Sequence, residues 1–290
     1  MEIQKIACVV LNYNDAEETI KYVSWVKELD FYSIIIVVDN NSSDGSYELL
    51  KQLSCEKVYV VQSDKNGGYG YGNNFGIRIA KEKYQCDMAF ISNPDVSYSE
   101  ESIANMVKYL NENPTCAAVT GLQYNGFTKK PIKDIAWKLP TYKNCLLINL
   151  YLGRKFNKDM YYQLSEKYEI VDCIPGAFLG VKIDEFLLCG GYDERLFLYC
   201  EEATLAYRLK EQGLYTCLLT NESYFHYVST SISKNIPNAV KRHKLLLNSY
   251  YFYIENYLKV NFSKRILAKL VFKVSILEEY LKTFIRSVKN

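Results

Sequence analysis

Histidine is scarce in this 290-residue sequence, and its cysteines lack the spacing of a metal site. Two histidines are present, and none of the nine cysteines belongs to a Cys-x-x-Cys pair. An odd number of scattered cysteines argues against a structural zinc site and against a disulfide-stapled secreted domain, and it fits free thiols in a reducing compartment. We therefore predict a cytoplasmic protein.

Excess charge of one sign and long apolar runs are also missing. The 35 basic and 33 acidic residues give a net charge of +2, which predicts no nucleic-acid partner. The N-terminal residues resemble no signal peptide, and no uncharged run reaches the roughly 18 residues of a membrane-spanning helix. The remaining composition, 49% hydrophobic and 23% charged, is that of a globular protein with one large domain.

The first half of the chain alternates β-rich runs with polar loops and helical patterns. We predict strands at 6–11, 33–38, 58–62 and 88–92, each followed by a polar loop. Four such units predict a parallel α/β sheet with right-handed crossovers, which places the four loops at one edge. Ligands bind at this edge in open α/β sheets.

The fourth predicted strand ends at Asn93-Pro94-Asp95. Because Pro94 cannot donate a hydrogen bond to a sheet, strand pairing should stop there and expose Asp95 at the carboxyl end of the strand. We interpret Asp95 as a metal-binding carboxylate. An ordinary Asx/Pro turn is the alternative.

The loops after the second and third strands have the chemistry that a nucleotide requires. Asp39, at a strand end, can accept a hydrogen bond from a pyrimidine N3–H or a ribose hydroxyl, or it can cap the next turn. The loop 66–76 is rich in glycine and asparagine, and we predict that it presents backbone N–H groups to a diphosphate before a helix at 77–83. A plain flexible loop is the alternative. Neither a Walker loop nor the dinucleotide-binding glycine spacing is present.

In their order and spacing, residues 9–14, 38–46, 66–76 and 93–96 resemble the family 2 glycosyltransferases, especially the rhamnosyltransferase-like branch. The resemblance implies a GT-A fold with a mostly parallel sheet, a nucleotide-diphosphate-sugar donor, and inversion at the anomeric carbon. It also implies that Asp39 reads the nucleobase, and that Asp95 holds a metal in an Asp-x-Asp-type motif whose other acidic position is Asn93. The remaining donor contacts are assigned to Asn12, Asn14, Asn41, Asn66, Gly68 and Asn74.

The resemblance continues through residues 190–208. The run Gly-Gly-Tyr-Asp-Glu, then Phe-Leu-Tyr, then Glu-Glu before a helix matches a family block in which Glu202 falls on the catalytic base. Such a base removes the proton of the acceptor hydroxyl, and Glu201 is the alternative base. Two carboxylates at a helix start are also explained by the helix dipole alone. Thr204 takes the second acidic position of the block, which leaves a catalytically inactive nucleotide-sugar-binding subunit as the rival hypothesis.

The two histidines receive different predictions. His226 lies among aromatic residues after a predicted strand at 215–219, where packing is the ordinary role. In the family, however, a histidine after this strand completes the metal and diphosphate site. A site with oxygen and nitrogen ligands and open positions suits Mg²⁺ or Mn²⁺. We expect His243 to be a solvated helix position.

Residues 129–159 show neither helical nor strand periodicity. We therefore predict a surface excursion that shapes the acceptor site. Its aromatic residues Trp137, Tyr142 and Tyr151 either pack or stack on sugars. We predict a GT-A domain at 1–237 and a helical extension at 238–290. The extension either packs on the core or on another copy of the chain, or it lies in the plane of a membrane, where its basic residues meet anionic headgroups.

The predicted reaction is inverting sugar transfer, with dTDP-rhamnose as the first choice of donor. A UDP-hexose or UDP-N-acetylhexosamine is the alternative. The expected acceptor is a saccharide or a polyprenyl-linked saccharide in bacterial surface polysaccharide or capsule synthesis, at the inner face of the cell membrane.

Overall fold

The computed structural model describes residues 4–164, 167–227 and 234–289. Within them lies a nine-stranded mixed sheet in the order β3-β2-β1-β4-β8-β6-β9-β5, with β7 paired to β9. The strands are β1 Ile6–Asn12, β2 Ile34–Asp39, β3 Val58–Gln62, β4 Met88–Ser92, β5 Val96–Tyr98, β6 Cys116–Asn125, β7 Tyr168–Val171, β8 Phe178–Lys182 and β9 Tyr215–His226.

Helices cover both faces of the sheet, and two more lie at the carboxyl end of the chain. The α-helices are α1 Ala16–Val26, α2 Ser46–Lys51, α3 Tyr69–Glu82, α4 Glu100–Glu112, α5 Tyr142–Leu147, α6 Ile183–Leu188, α7 Glu201–Glu211, α8 Ala239–Asn256 and α9 Phe262–Lys289. Two short 3₁₀ turns, Gly153–Phe156 and Lys158–Met160, follow α5.

The four strands predicted from the first half of the chain form one parallel block. β1 pairs in parallel with β2 and β4, and β2 pairs in parallel with β3. Every residue of β2 and β4 is buried, as expected for strands covered by helices on both faces. The prediction that their loops share one sheet edge is therefore confirmed. Antiparallel β8 follows β4 in the sheet and begins the mixed half.

The predicted glycine-rich loop at 66–76 is mostly helical, so the predicted helix start at 77 is wrong. Helix α3 begins at Tyr69. Its glycines allow close packing on the sheet, because a Cβ at Gly72 would lie 2.2 Å from Leu11 Cδ1 and one at Gly76 would lie 2.5 Å from Val9 Cγ1. Glycine here serves helix–sheet contact more than loop flexibility.

Two further predictions are corrected by packing between distant segments. The strand predicted at 215–219 continues as β9 to His226, because it pairs along its length with β6. The surface excursion at 129–159 contains α5 and buries Ile135, Ala136 and Cys145. These residues contact the sheet or the carboxyl-terminal helices, which a local pattern does not reveal.

The carboxyl-terminal helices pack against each other and against the rest of the chain. Ala268 and Phe272 of α9 join a cluster that includes Leu247 and Tyr253 of α8. Their contacts do not test the predicted boundary at 237–238, which stays a prediction. No helix in the described ranges has the length and apolar content needed to cross a bilayer.

The prediction of a solvated His243 is wrong. Its Nε2 lies 2.7 Å from Ser275 Oγ, and Ser275 Oγ donates in turn to the carbonyl oxygen of Asn149. Burial lowers the pKa of the His243 imidazole, because the charged form is desolvated between α8 and α9. His243 is therefore part of a helix–helix contact.

Candidate active site

A cavity of about 700 Å³ opens at the carboxyl edge of the parallel strands. The residues that line it come from distant parts of the chain. They include Asn12 at the end of β1, Gly68 at the start of α3, Asp95 after β4, His226 at the end of β9 and Lys241 of α8. A site at this edge is the arrangement expected of an open α/β sheet.

Asp95 and His226 meet in this cavity. His226 Nε2 lies 3.2 Å from Asp95 Oδ1, because antiparallel β5 and β9 place Val96 opposite His226. The imidazole is oriented by Gln123, whose Nε2 donates to His226 Nδ1 at 3.0 Å, and Tyr224 Oη donates to Gln123 Oε1. An imidazole that accepts this hydrogen bond at Nδ1 carries its proton on Nε2, the nitrogen nearer Asp95.

The side chains at this position could supply only some of the ligands of a divalent cation. Asp95 offers oxygen and His226 offers nitrogen, which suit Mg²⁺ or Mn²⁺. Across the described ranges, no three His, Cys, Asp or Glu side chains come together as a complete metal-binding group. A cation held by this pair would need further ligands from a bound diphosphate or water.

Asp39 lies beside the cavity and is fully buried. Its Oδ1 accepts hydrogen bonds from Asn12 Nδ2 at 2.8 Å and from Ser42 Oγ at 2.6 Å, and its Oδ2 accepts from Gln62 Nε2 at 2.9 Å. The backbone N–H of Ser42 also donates to Oδ2. A nucleobase N3–H would have to replace one of these donors, so nucleobase recognition by Asp39 stays a prediction.

The other residues that we predicted to contact the nucleotide sugar fall into two groups. Asn12 lines the cavity, while its Nδ2 is held by Asp39. Asn14 and Asn41 have left-handed backbone conformations and tie loops together: Asn14 Oδ1 accepts from the N–H of Ser43, and Asn41 Nδ2 donates to the carbonyl of Asp64. Asn14 and Asn41 are absent from the cavity wall, so the geometry gives no support to the prediction that they contact the donor.

The start of α3 reaches the cavity, but two of its backbone N–H groups already donate to other atoms of the protein. The N–H of Gly68 donates to Asn66 Oδ1, and the N–H of Tyr69 donates to the carbonyl of Phe197 at 3.0 Å. Gly68 itself is required, because its φ is +93° and a Cβ would lie 2.0 Å from the Phe197 oxygen. Asn66 and Gly68 therefore shape the wall, and these two N–H groups are unavailable to a diphosphate.

Asn74 is placed away from the cavity. Its Nδ2 donates to the carbonyl of Tyr192 and to Glu194, and its Oδ1 accepts from the N–H of Tyr192. These contacts join α3 to the Gly-Gly-Tyr-Asp-Glu segment. The geometry supports a structural role for Asn74 and gives no support to the prediction of a donor contact.

The two glutamates at the start of α7 face different surroundings. Glu201 is 5% exposed, and its Oε1 has no hydrogen-bond partner among the described residues. Glu202 lines a second cavity of about 230 Å³. Burial raises the pKa of both carboxyl groups, and the charge of Glu202 adds to the effect at Glu201. Because Glu202 opens to a cavity and Glu201 does not, the geometry favours Glu202 as the base.

The backbone before α7 is strained. Tyr199 and Cys200 are consecutive non-glycine residues with φ of +74° and +66°. This conformation costs roughly 1–2 kcal/mol per residue. It sets the direction in which α7 leaves the loop and so fixes where Glu201 and Glu202 project.

The second cavity is lined by aromatic residues from the excursion, from the segment just after it and from α8. Trp137, Tyr161, Tyr250 and Tyr253 all contribute to its wall beside Glu202. Trp137 is also packed against the carboxyl-terminal cluster, so the two predicted roles of this residue are compatible. Tyr142 donates to the carbonyl of Lys264 and Tyr151 is 72% exposed, and neither lines this cavity.

Tyr69 and Gly176 stand between the two cavities. Tyr69 lines the larger cavity, and its hydroxyl donates to the carbonyl of Gly176 at 2.6 Å. A Cβ built on Gly176 would lie 3.3 Å from Glu202 Oε1 and 3.5 Å from Tyr69 Oη. A side chain at Gly176 would therefore press on the Glu202 carboxylate.

Comparison with known proteins decides the family. Residues 8–182 match Glycosyl transferase family 2, which is more than half of the chain. The chain belongs to this family. It is a glycosyltransferase, and the predicted recognition of a rhamnosyltransferase-like member is confirmed.

Two curated relatives of this glycosyltransferase are rhamnosyltransferases. It is 29% identical to rhamnosyltransferase WbbL of Escherichia coli strain K12 over 188 residues, which are 62% of this chain and 67% of WbbL. It is 22% identical to the N-acetylglucosaminyl-diphospho-decaprenol L-rhamnosyltransferase of Mycobacterium tuberculosis strain H37Rv, over 72% of this chain and 71% of that protein. The chain thus spans about two thirds of the length of these relatives.

A solved structure confirms the GT-A fold of the glycosyltransferase. The mannosyltransferase PcManGT from Pyrobaculum calidifontis, in complex with GDP-Man and Mn²⁺, superposes with a TM-score of 0.56 at 14% identity. The similarity covers 94% of this chain and 74% of PcManGT. At this identity the likeness concerns the fold.

Sequence reasoning missed several residues of the two cavities. Lys241 and Lys244 line the larger cavity, although their surroundings in the sequence suggested a solvated helix. Gln123 orients His226 from β6. The spacing of the two lysines just after the Asn238 cap would place both on one helix face, which was an available signal. No local pattern in the sequence indicated a role for Gln123.

The surroundings of Thr204 account for a threonine at this acidic position of the family block. It is fully buried, and its Oγ1 donates to the carbonyl of Glu201 at 3.0 Å. A carboxylate at this position would be desolvated within the core. Its replacement by threonine therefore affects packing beneath α7 and does not remove a group from either cavity.

Proposed function

We propose that this glycosyltransferase moves a sugar, with inversion, from a nucleotide-diphosphate donor in the larger cavity to an acceptor hydroxyl at Glu202. The observation that carries the proposal is the meeting of Asp95 and His226, 3.2 Å apart, in a cavity at the carboxyl edge of the parallel strands. The family membership supports the reaction class.

Glu202 would act as the general base. Its carboxylate takes the acceptor hydroxyl proton while that oxygen attacks the anomeric carbon from the side opposite the diphosphate. The bond from the carbon to the acceptor forms, and the bond to the diphosphate oxygen breaks. Burial raises the Glu202 pKa, which brings the group closer to neutral pH and strengthens it as a base.

Asp95 and His226 would hold Mg²⁺ or Mn²⁺. Such a cation supplies electrostatic stabilisation of the charge on the departing diphosphate. His226 Nε2 can ligate a cation only in the tautomer whose proton lies on Nδ1. Gln123 can support this tautomer if its amide turns to present Oε1, since that oxygen accepts a hydrogen bond.

The donor that the relatives favour is dTDP-rhamnose. WbbL and the mycobacterial relative are both named rhamnosyltransferases. A thymine or uracil offers the N3–H that Asp39 could accept after displacing Gln62. A UDP-hexose or a UDP-N-acetylhexosamine is the alternative donor within the same cavity.

The acceptor would enter the second cavity. Trp137, Tyr161, Tyr250 and Tyr253 offer aromatic faces beside Glu202, and such faces suit the apolar C–H surfaces of a saccharide. The mycobacterial relative is named for an acceptor carried on a decaprenol diphosphate. A saccharide or polyprenyl-linked saccharide of a bacterial surface polysaccharide or capsule is the acceptor class that we propose.

Helix α9 would hold the enzyme on the cytoplasmic face of the membrane. Ala268, Phe272 and Ser275 bury one side of this helix. On the opposite side, an apolar stripe is exposed at helical spacing, formed by Ile266, Leu270, Leu277, Leu281 and Phe284. Lys269 and Lys273 flank that stripe, and basic residues beside an apolar face favour an anionic lipid surface.

A transfer assay with the purified full-length protein tests the proposed function. Nucleotide sugars are first screened by thermal shift with and without Mn²⁺, because a ligand bound by the folded state raises the melting temperature. Transfer or donor hydrolysis by wild type should fall about 100-fold or more in Glu202→Gln, with donor binding retained. Glu201→Gln is the matched control and should keep more activity.

The rival function is an inactive subunit that binds nucleotide sugars and pairs with an active enzyme. It predicts a thermal shift with donor but neither transfer nor hydrolysis by wild type. Full activity in Glu202→Gln would instead leave the reaction class intact and refute the assignment of the base.

A further inference from the structure

We propose that Lys241 and Lys244, near the start of α8, bind the diphosphate of the nucleotide-sugar donor. This inference rests on the proposed function, because it takes the larger cavity as the donor site. Both lysines line that cavity together with Asp95 and His226. Their spacing of three residues places them on one face of the helix, and Asn248 continues the same polar face one turn further.

The cavity needs a source of positive charge. A nucleotide-sugar diphosphate enters with negative charge, and Asp95 adds a carboxylate. The N–H groups of Gly68 and Tyr69, which begin α3, already donate to Asn66 Oδ1 and to the Phe197 carbonyl. The helix start therefore offers the phosphates fewer direct hydrogen bonds than the glycine-rich sequence suggested.

The two lysines are well placed to supply this charge. Of the lysine and arginine residues that the structure describes, only Lys241 and Lys244 line the larger cavity. Lys234 lies nearby in the sequence, but its Nζ pairs with Asp15 at 3.3 Å. Arg242 points elsewhere, since its guanidinium donates to the carbonyls of Ile236 and Pro237.

Neither lysine is fixed in the interior. Both are exposed, and Lys244 Nζ donates to Tyr280 Oη on α9 at 3.3 Å. A lysine ammonium is a compact charge on a flexible stem, which suits contact with phosphate oxygens. As the sugar–diphosphate bond breaks, the departing diphosphate gains negative charge. Preplaced ammonium groups stabilise that charge, so the lysines should assist transfer as well as binding.

Isothermal titration of the full-length protein with UDP and dTDP, in the presence of Mn²⁺, tests the inference. Lys241→Ala and Lys244→Ala should each weaken nucleoside diphosphate binding about tenfold, the usual effect of losing a charge-assisted hydrogen bond. The double variant should be weaker still and should show a smaller dependence of Kd on salt concentration. Lys108→Ala, at an exposed lysine of α4 outside both cavities, is the charge-matched control and should bind like wild type.

Tyr280→Phe separates a phosphate contact from a structural role of Lys244. It removes the phenol oxygen that Lys244 contacts and keeps the ring. Under our proposal, Tyr280→Phe retains wild-type affinity while Lys244→Ala loses it. Equal losses in both variants would assign Lys244 to the α8–α9 contact and would overturn its role at the diphosphate.

The remaining outcomes distinguish this inference from the proposed function. If wild type binds UDP or dTDP and the double lysine variant binds equally well, the lysine assignment is wrong and the donor site stands. If wild type binds neither of these nor GDP, the cavity is not a donor site, and the proposed function fails together with the inference.

Discussion

The hydroxyl of Tyr257, one residue beyond α8, donates a hydrogen bond of 2.7 Å to Oδ2 of the buried Asp193. Asp193 belongs to the Gly-Gly-Tyr-Asp-Glu segment and also pairs with Arg195 at 2.6 Å and Arg208 at 3.0 Å. Through this carboxylate, the carboxyl-terminal helices are tied to the loop that precedes Glu201 and Glu202.

Tyr257→Phe should therefore destabilise the whole chain. Losing a hydrogen bond to a buried charged group costs about 1–2 kcal/mol, because the remaining partners keep the carboxylate paired. Urea unfolding monitored by circular dichroism measures this loss. Tyr151→Phe, at a 72% exposed position, is the control and should change the free energy of unfolding little. An unchanged midpoint in Tyr257→Phe would contradict the role given to this contact.

Asp193 should also make the free energy of unfolding depend on pH in the acid range. Burial alone would raise the pKa of its carboxyl group, but hydrogen bonds from Arg195 and Tyr257 and the charge of Arg208 lower it to about 2. The pKa in the unfolded chain is about 3.9. The stabilisation, roughly 2 kcal/mol, is therefore complete above pH 4 and is lost as the pH falls towards 2.

Asp193→Asn isolates that dependence. The variant should be less stable at pH 7 by about 3 kcal/mol, because the arginines lose a buried partner. Its stability should also fall less steeply than that of wild type between pH 4 and 2.5. Denaturant unfolding gives the free energy of unfolding of both proteins at each pH. If the two values fall by the same amount between pH 4 and 2.5, carboxylates other than Asp193 govern the loss of stability in acid.

The raised pKa values of Glu201 and Glu202 predict the pH dependence of transfer. The base must be ionised, so kcat should fall as the pH drops through a value above the ordinary range of a glutamate. Because burial is what raises the Glu202 pKa, Glu201→Gln should leave this acidic limb close to its wild-type position. A pH–rate profile measures both effects. A limb at the ordinary glutamate pKa in wild type would be evidence against a buried base.

Gly176→Ala should impair chemistry more than donor binding. The new methyl group would lie 3.3 Å from Glu202 Oε1 and 3.5 Å from Tyr69 Oη, so the carboxylate must shift. A misplaced base loses about tenfold or more in kcat. Titration with nucleoside diphosphate on the same preparation should give the wild-type Kd. A variant with full activity would mean that Glu202 tolerates the displacement or is not the base.

Helix α9 should bind anionic vesicles through its exposed apolar stripe. The double variant Leu277→Glu and Leu281→Glu should lose flotation with phosphatidylglycerol-containing liposomes, because it places charge in the apolar stripe. Lys269→Ala and Lys273→Ala should each weaken binding about fivefold. Leu188→Glu, at a 69% exposed leucine of α6, is the control.

Two outcomes would contradict the membrane proposal. Wild-type protein could stay with the soluble fraction at all lipid concentrations. Alternatively, light scattering could show a dimer that the Leu277→Glu and Leu281→Glu pair dissociates, which would assign the stripe to a second copy of the chain.

Much of the fold was readable from local pattern. The apolar runs of β3 and β4 are short and end at polar residues, so both bounds were predicted correctly. Pro94 stopped strand pairing where its missing N–H requires, and Asp95 lies in the cavity. Glycine misled the prediction at α3, since Gly72 and Gly76 signal close helix–sheet packing as readily as a loop.

Local pattern was enough to predict the four parallel strands with their loops, to identify the family, and to name the chemical groups that are available. Tertiary structure decided which of those groups face a cavity: Glu202 opens to one while Glu201 is buried, and Asp39 is enclosed by donors from three separate segments. It also carried Lys241 and Lys244 of α8 to the larger cavity. Strand periodicity is a local property of the chain, whereas the exposure of one oxygen depends on contacts between segments that are distant in sequence.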